Sequence, residues 1–244
     1  DEEGQQKESE SSSNIDARLD KAVSLQVPVE RRQDLQDAFR AAAKQSVDHY
    51  IYLREVVQNI IDATRGDCGG GCQVAINTFE RIDETQEGAK QIILDVQDGV
   101  GMSDSILFNK LIMPFSTTKK GDDEMLGQQG QGFYTLLAAS DYVIIQTIWE
   151  GRVRTLRLVP IRDNGEVVDF EVHEESRATI PGESNGTRMQ AAIRTEFPDL
   201  EAEKITIAAQ RLAGLVDRKT LEVQVNDVIV NVAEEQLHAV ESTE

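Results

Sequence analysis

A stretch of the chain from 29 to 65 contains neither glycine nor proline, and it limits the possible folds more than any other feature. Within it, apolar residues recur at the spacing of an α-helix, as Leu53, Val56 and Ile60 do. The pattern predicts two helices with a break near 46–50. A glycine-rich run then ends the second helix, because glycine is a poor helix former.

Most of the remaining sequence alternates between apolar and polar residues, which is typical of half-buried strands. The predicted strands are 73–79, 91–96, 142–149, 152–160, 166–172, 186–193 and a hairpin over 221–232. Two more helices are predicted over 133–139 and 200–216. Strand turns are predicted at Glu150-Gly151, Asn164-Gly165 and Asn226-Asp227. Helices combined with antiparallel strands predict an α/β (α+β) two-layer sandwich.

The charge of the chain excludes some classes of partner. The 244 residues include 25 Lys and Arg against 44 Asp and Glu, a net charge of −19. Such a charge disfavours nonspecific binding to nucleic acid or to an anionic membrane. No apolar run is long enough to span a bilayer and no signal peptide is recognisable, so we expect a soluble, intracellular protein. Because the sequence begins with Asp1 rather than Met, we interpret it as part of a longer protein.

The composition also suggests where the domain begins. Residues 1–14 are acidic, rich in Ser and Gln, and nearly devoid of apolar side chains. Such a segment cannot bury enough apolar surface to offset its ordering entropy, so we expect a disordered tail or linker. Residues 15–244 are then predicted to form a single domain.

Two cysteines, Cys68 and Cys72, flank a run of three glycines. A zinc site would need two more ligands, and the three histidines lie far away along the sequence. The simpler interpretation is a glycine loop that carries two reduced thiols.

Three polar residues of the second predicted helix share one face. Glu55, Asn59 and Asp62 stand at positions i, i+4 and i+7, and their apolar neighbours cover the opposite face. A carboxylate and an amide one turn apart can divide two tasks, since the first can activate a water and the second can help to bind Mg²⁺. The alternative is the solvated side of an ordinary amphipathic helix.

Two glycine-containing motifs follow the helix. Asp98-Gly99-Val100-Gly101 comes directly after a predicted strand, where a carboxylate could accept a hydrogen bond from an exocyclic amine; the alternative is a common Asp-Gly turn. The segment 127–132, Gly-Gln-Gln-Gly-Gln-Gly, opens a predicted helix. Backbone N–H groups at such a helix start suit phosphates, although glycine-rich loops also serve as hinges.

The three motifs, in this order, resemble the ATP-binding domain that DNA gyrase B, the Hsp90 chaperones, histidine kinases and the MutL proteins share, the GHKL or Bergerat-fold family. The segment 55–63 is similar to its N-box, 98–102 to its adenine motif and 127–132 to its phosphate loop. A fourth piece, Asn185-Gly186-Thr187-Arg188, is similar to the Gly-Thr of the family. The resemblance covers roughly 29–232 and implies a mixed, mostly antiparallel sheet with helices on one face.

The resemblance implies a role for each matching residue. Glu55 would activate water, Asn59 would bind Mg²⁺, and Asp62 would support the base side. Asp98 would bind the adenine amine, with Thr187 helping and with Gly101 and Met102 packing beside it. The phosphates would be held by the loop residues Gly127, Gln128, Gly130, Gln131, Gly132 and Phe133. A lid over about 103–131 would close on ATP, and Lys119 or Lys120 could reach a phosphate from it, unless the pair is simply solvated.

Within the family, the phosphate-loop segment 127–134 is most similar to Hsp90, whereas 114–119 resembles the lid of histidine kinases. Glu55 favours hydrolysis, because histidine kinases usually lack this carboxylate.

The sequence therefore predicts a Mg²⁺-dependent ATPase module that drives conformational change or dimerisation in a larger protein and turns over slowly in isolation. The alternatives are a non-catalytic, ATP-gated interaction module and a histidine-kinase-type domain. Its expected partners are ATP, further domains of the same chain and a second copy, with no nucleic acid and no membrane.

Overall fold

A computed structural model describes residues 23–25, 37, 39, 51–67, 72–83, 89–112, 132–194, 201–214 and 221–231. The strands in this part of the chain are β1 Val23–Leu25, β2 Cys72–Asp83, β3 Ala89–Asp98, β4 Ser140–Trp149, β5 Arg152–Asp163, β6 Glu166–Ala178, β7 Gly186–Ile193, β8 Leu221–Val225 and β9 Val228–Ile229. The helices are α1 Ile51–Asp67, α2 Asp104–Ile106 with the π-helix Leu107–Leu111 directly after it, α3 Gly132–Ala139 and α4 Ala202–Ala213. Asp37 and Phe39 are also helical.

The described strands form a single mixed sheet in the order β1-β6-β5-β4-β7-β3-β2-β8-β9. Neighbouring strands are antiparallel except for β2 and β8, which pair in parallel. Strand β7 lies between β3 and β4 although it follows both in the chain. The predicted mixed, mostly antiparallel sheet is therefore confirmed.

The main core lies between one face of this sheet and the helices. Alternate side chains of β3, such as Leu94 and Val96, point to this face, as the period of two in a strand requires. Helix α1 meets them with Leu53 and Val56, both buried. Full burial of one such side chain contributes about 1.5–3 kcal/mol, so these rows fix how α1 lies on the sheet.

Several local predictions are confirmed. The predicted turns contain residues with positive φ, for instance Asn164 at 51° and Gly165 at 85°. This backbone matches the twist of a tight hairpin and favours Asn and Gly. The structure differs at β6, which extends to Ala178 because it pairs along the whole of β5.

The predicted lid segment differs from its expected loop character at its beginning. Residues 104–111 are helical, with the Ser103 side chain accepting a hydrogen bond from the Ile106 N–H at the start. Residues 113–131 and 1–14 lie outside the described part of the chain, and so do the side chains of both cysteines. Among the described helices, none is long and apolar enough to cross a membrane.

Candidate functional site

The Asp98 carboxylate stands at the end of β3 and organises the chain around it. Its Oδ1 accepts hydrogen bonds from the backbone N–H groups of Val100 at 2.9 Å and of Gly101 at 3.4 Å. It also accepts one from the Thr187 N–H of the neighbouring strand β7 at 3.3 Å. In the described part of the chain, all hydrogen bonds of this carboxylate fall on Oδ1, so Oδ2 is available to a ligand.

Glycine is required on both sides of this carboxylate. Gly101 has a φ of +82°, and a Cβ there would lie 2.3 Å from the backbone oxygen of Ile148. A Cβ on Gly186 would lie 2.8 Å from the backbone oxygen of Asp98. Both distances are far below van der Waals contact, so any side chain here would push the strand ends apart.

Thr147, a residue for which no sequence motif predicts a role, connects the two sides of this region. The Met102 N–H donates a hydrogen bond to Thr147 Oγ1 at 2.7 Å, and Thr147 Oγ1 lies 3.4 Å from Thr187 Oγ1. Thr147 belongs to β4 and is almost completely buried. A detectable sign existed in the sequence, since Thr147 is a polar residue in the same phase as the core residues Val143 and Ile145.

An ion pair between the buried Asp95 and the half-buried Arg188 holds the same two strands together from the other face of the sheet. Arg188 Nε and a terminal guanidinium nitrogen donate to the two carboxylate oxygens of Asp95 at 2.9 and 2.7 Å. Two parallel bonds of this kind are geometrically specific. The pair therefore helps to keep Asp98 directly opposite Thr187 in the register of β3 and β7.

The environment of Asp98 changes its acidity. Burial raises the pKa of the Asp98 carboxyl above its ordinary value of 3.8, and the three backbone N–H donors oppose this rise only in part. The ionised carboxylate is therefore held in the folded chain at a cost in stability, as is common where a fold keeps a group for binding.

We expect Asp98→Asn to raise the melting temperature of the ligand-free protein at neutral pH. When the pKa of a carboxyl is higher in the folded than in the unfolded state, the protein loses stability as the pH rises through the interval between the two pKa values. The amide oxygen of Asn can still accept the three backbone bonds, while the buried charge is gone. The gain should shrink as the pH falls toward 3.8, the unfolded value.

Thermal denaturation at several pH values measures this effect. Glu203→Gln on the exposed face of α4 is a matched control, because it removes one carboxylate without removing a buried charge. A gain for Asp98→Asn that is equal to that of the control at every pH would contradict the prediction.

The second part of the candidate site joins α1 to the start of α3. A Cβ on Gly132 would lie 2.2 Å from Glu55 Oε2 and 3.1 Å from Glu55 Cβ, so the glutamate side chain lies directly against this glycine. Glu55 is half-buried on the polar side of α1. The contact places a carboxylate beside the N-terminal turn of α3, where the helix carries positive partial charge.

Asn59 follows Glu55 by one helical turn and is also half-buried, so the two predicted side chains do share a face of α1. Phe133 lies in the core, with its ring edge-on to Tyr134. Only the backbone of Phe133 is therefore suited to a phosphate.

Six predicted site positions cannot be placed. Asp62 belongs to α1 but its side chain lies outside the described part of the chain, and so do all atoms of the following residues: Lys119, Gly127, Gln128, Gly130 and Gln131.

Most of the remaining predicted residues fall into two groups. Asp98, Gly101, Met102 and Thr187 surround one strand end, and Glu55, with Asn59 one helical turn away, lies against Gly132. Asp98 continues the phase of Leu94 and Val96, so its carboxylate is on the face of the sheet that the helices cover. Among the described residues, no group of three His, Cys, Asp or Glu side chains could hold a metal ion. Magnesium that is bound chiefly through phosphates does not require such a group.

Comparison with known proteins relates this arrangement to solved structures. No family model matches the sequence, and no curated protein matches it. The ATPase and transducer domains of DNA topoisomerase II from Balamuthia mandrillaris share 17% identity at a TM-score of 0.54, over 77% of this chain and 49% of that one. The ATPase region of Saccharomyces cerevisiae topoisomerase II shares 15% identity at 0.54, over 80% and 52%.

The chain has the fold of these ATPase domains. The 43K ATPase domain of Thermus thermophilus gyrase B, solved with an aminocoumarin, agrees at a TM-score of 0.51 and 16% identity, over 86% of this chain and 55% of that one. The chain thus spans about half the length of the structures it matches. The predicted Bergerat-type fold is confirmed, whereas the predicted similarity to Hsp90 stays a prediction.

Proposed function

We propose that this chain is a Mg²⁺-dependent ATP-binding module that hydrolyses ATP to ADP and phosphate. The proposal rests on the surroundings of Asp98. This half-buried carboxylate is held through Oδ1 by three backbone N–H groups, and glycines lie next to it. Asp98 Oδ2, to which no described residue donates a hydrogen bond, can accept one from the exocyclic amine of adenine, and Gly101 lets the backbone come close to a flat ring. The fold shared with ATPase domains of topoisomerase II and gyrase B supports this assignment.

Hydrolysis would depend on Glu55. Its carboxylate lies against the first residue of α3, the helix that follows the glycine-rich segment. Phosphates held at the N-terminus of this helix would lie beside Glu55, which can then orient and deprotonate the attacking water. The N–H groups at the start of α3 would donate hydrogen bonds to the phosphoryl oxygens and so stabilise the negative charge that develops on the transferred group.

The Asn59 side chain is a suitable ligand for magnesium. The Asn59 carboxamide oxygen is a hard donor of the kind Mg²⁺ prefers, and one protein ligand is common when the phosphates supply the others. When bound, Mg²⁺ would neutralise phosphate charge and help to orient the reacting group. The net charge of −19 repels a nucleotide at long range, so Mg²⁺ and the backbone N–H groups of the site would have to offset this repulsion locally.

The proposal extends to residues outside the described part of the chain. Gly127, Gln128, Gly130 and Gln131 would wrap the phosphates, Lys119 would reach them from the lid, and Asp62 would support the base side. Closure of the lid would exclude bulk water from the reaction. We also propose action within a larger assembly, through a further domain or a dimer, since the Balamuthia structure combines its ATPase domain with a transducer domain.

Equilibrium binding of ATP with Mg²⁺ tests the assignment directly. The wild-type chain is expected to bind ATP, and Asp98→Ala is expected to lose affinity by about 10- to 100-fold, because a hydrogen bond to a charged group contributes roughly 1.5–3 kcal/mol. Glu203→Gln on α4 should bind like the wild type. Equal affinities for wild type and Asp98→Ala would contradict the proposed role of Asp98, and a folded wild type that binds no ATP would contradict the function itself.

A further inference from the structure

Thr147 is a buried residue whose hydroxyl joins the two base-side motifs, because it contacts both the Met102 N–H and the Thr187 hydroxyl. Thr147 stands directly opposite Thr187 in the register of β4 and β7. Its side chain is 1% exposed, so its hydroxyl must find partners inside the protein. A threonine hydroxyl has one proton to donate and can accept from other groups.

The proton of Thr147 can be placed by elimination among the described residues. Thr147 Oγ1 accepts from the Met102 N–H, which has no acceptor capacity. Within this part of the chain, the other polar atom in reach is Thr187 Oγ1 at 3.4 Å. The Thr147 hydroxyl therefore donates to Thr187, and Thr187 must direct its own proton elsewhere.

With Thr147 as the donor of this pair, the Thr187 proton can be donated to a ligand beside Asp98. The Thr187 N–H already binds Asp98 Oδ1, which keeps the threonine and the carboxylate adjacent. The two side chains then offer a ligand an acceptor, Asp98 Oδ2, next to a donor, the Thr187 hydroxyl. Adenine carries the complementary pair, an amine that donates and a ring nitrogen N1 that accepts, whereas guanine has an accepting O6 and a donating N1–H at these positions.

We propose that Thr147 is a positioning residue for base selectivity, which turns the Thr187 hydroxyl into a donor and so selects adenine over guanine nucleotides. This inference rests on the proposed nucleotide-binding function. It assigns to β4 a role that no motif of the sequence indicates. Without the Thr147 hydroxyl, Thr187 could rotate and accept a hydrogen bond from guanine N1–H, and the exclusion of guanine would then rest on Asp98 Oδ2, which would still face the accepting O6.

The test compares the ratio of ATP to GTP affinity in three proteins. The wild type and Thr147→Ser, which keeps the hydroxyl, are expected to share a strong preference for ATP. Thr147→Val removes the hydroxyl at nearly constant shape and is expected to lower this preference by about 10-fold, the effect of one hydrogen bond of wrong polarity. If Thr147 had a purely structural role, Thr147→Val would weaken the binding of ATP and GTP alike. An unchanged ratio of ATP to GTP affinity in Thr147→Val would therefore overturn the inference.

A second measurement covers the case in which Thr147→Val does not fold. The wild-type chain is titrated with ATP and with 1-deaza-ATP, in which the N1 acceptor is replaced by a C–H group. If Thr187 donates as inferred, 1-deaza-ATP should bind several-fold more weakly, and Thr187→Val should remove the difference. Equal affinities in the wild type would overturn the inference while leaving ATP binding itself established, and a wild type that binds neither nucleotide would overturn both.

Discussion

Glu55→Gln is expected to lower the rate of ATP hydrolysis by about 10²- to 10⁴-fold, the usual contribution of a general base. The amide keeps the size of the glutamate and its place against Gly132, so ATP affinity should change by no more than a few-fold. Single-turnover hydrolysis of γ-labelled ATP gives the rate, and equilibrium binding gives the affinity. The label also shows whether phosphate goes to water or to a protein side chain.

Two further variants make the result specific to this carboxylate. Glu203→Gln changes an exposed glutamate of α4 and should hydrolyse ATP at the wild-type rate. Gly132→Ala leaves Glu55 unchanged but forces its carboxylate to move, because the new Cβ would meet Glu55 Oε2 at 2.2 Å. It should fold and lose hydrolysis nearly as Glu55→Gln does. If Glu55→Gln hydrolyses ATP as fast as the wild type, the general base is elsewhere; if neither protein hydrolyses bound ATP, the chain is a binding module only.

Gly101→Ala is expected to destabilise the fold by about 2–5 kcal/mol and to abolish ATP binding. A φ of +82° is unfavourable for alanine by roughly 1–2 kcal/mol, and its Cβ would meet the Ile148 backbone oxygen at 2.3 Å. Relief of such a clash requires backbone movement and costs typically 1–3 kcal/mol. That movement would also pull on the Asp98 loop and the β4 strand that line the proposed base site.

Gly99→Ala in the same motif is the matched control. No atom of the described residues lies within 4 Å of a Cβ built at Gly99, and its φ is not in the left-handed region. Its unfolding free energy should stay within about 1 kcal/mol of the wild type. Urea denaturation compares the two variants, and equal losses of stability would show that Gly101 is not constrained in the way the structure indicates.

The predictable parts of this protein depend on contacts between residues close together in the chain. The apolar face of α1 follows from helical spacing, and the hairpin turns at Asn164-Gly165 and Asn226-Asp227 follow from residues that tolerate positive φ. Asp98, at a strand end and followed by glycines, was recognisable as a binding candidate for the same reason. These features depend only on local backbone geometry, which can be predicted from the residue types at neighbouring positions.

Other features depend on which distant segments meet. Phe133 follows the glycine-rich segment and looked like a nucleotide contact, yet its ring is in the core because α3 packs against both α1 and the sheet. The length of β6 depends on the whole of its partner β5.

The sequence by itself therefore determined the helices, most strands, the turns and the residues with suitable chemistry. Only the tertiary structure placed β7 between β3 and β4, and this order brings Thr147 to within 3.4 Å of Thr187 across forty positions of sequence. It likewise brought Glu55 of α1 against Gly132 of α3. Local backbone preferences extend over a few residues, whereas strand order is set by the burial of the whole apolar face, which no single segment encodes.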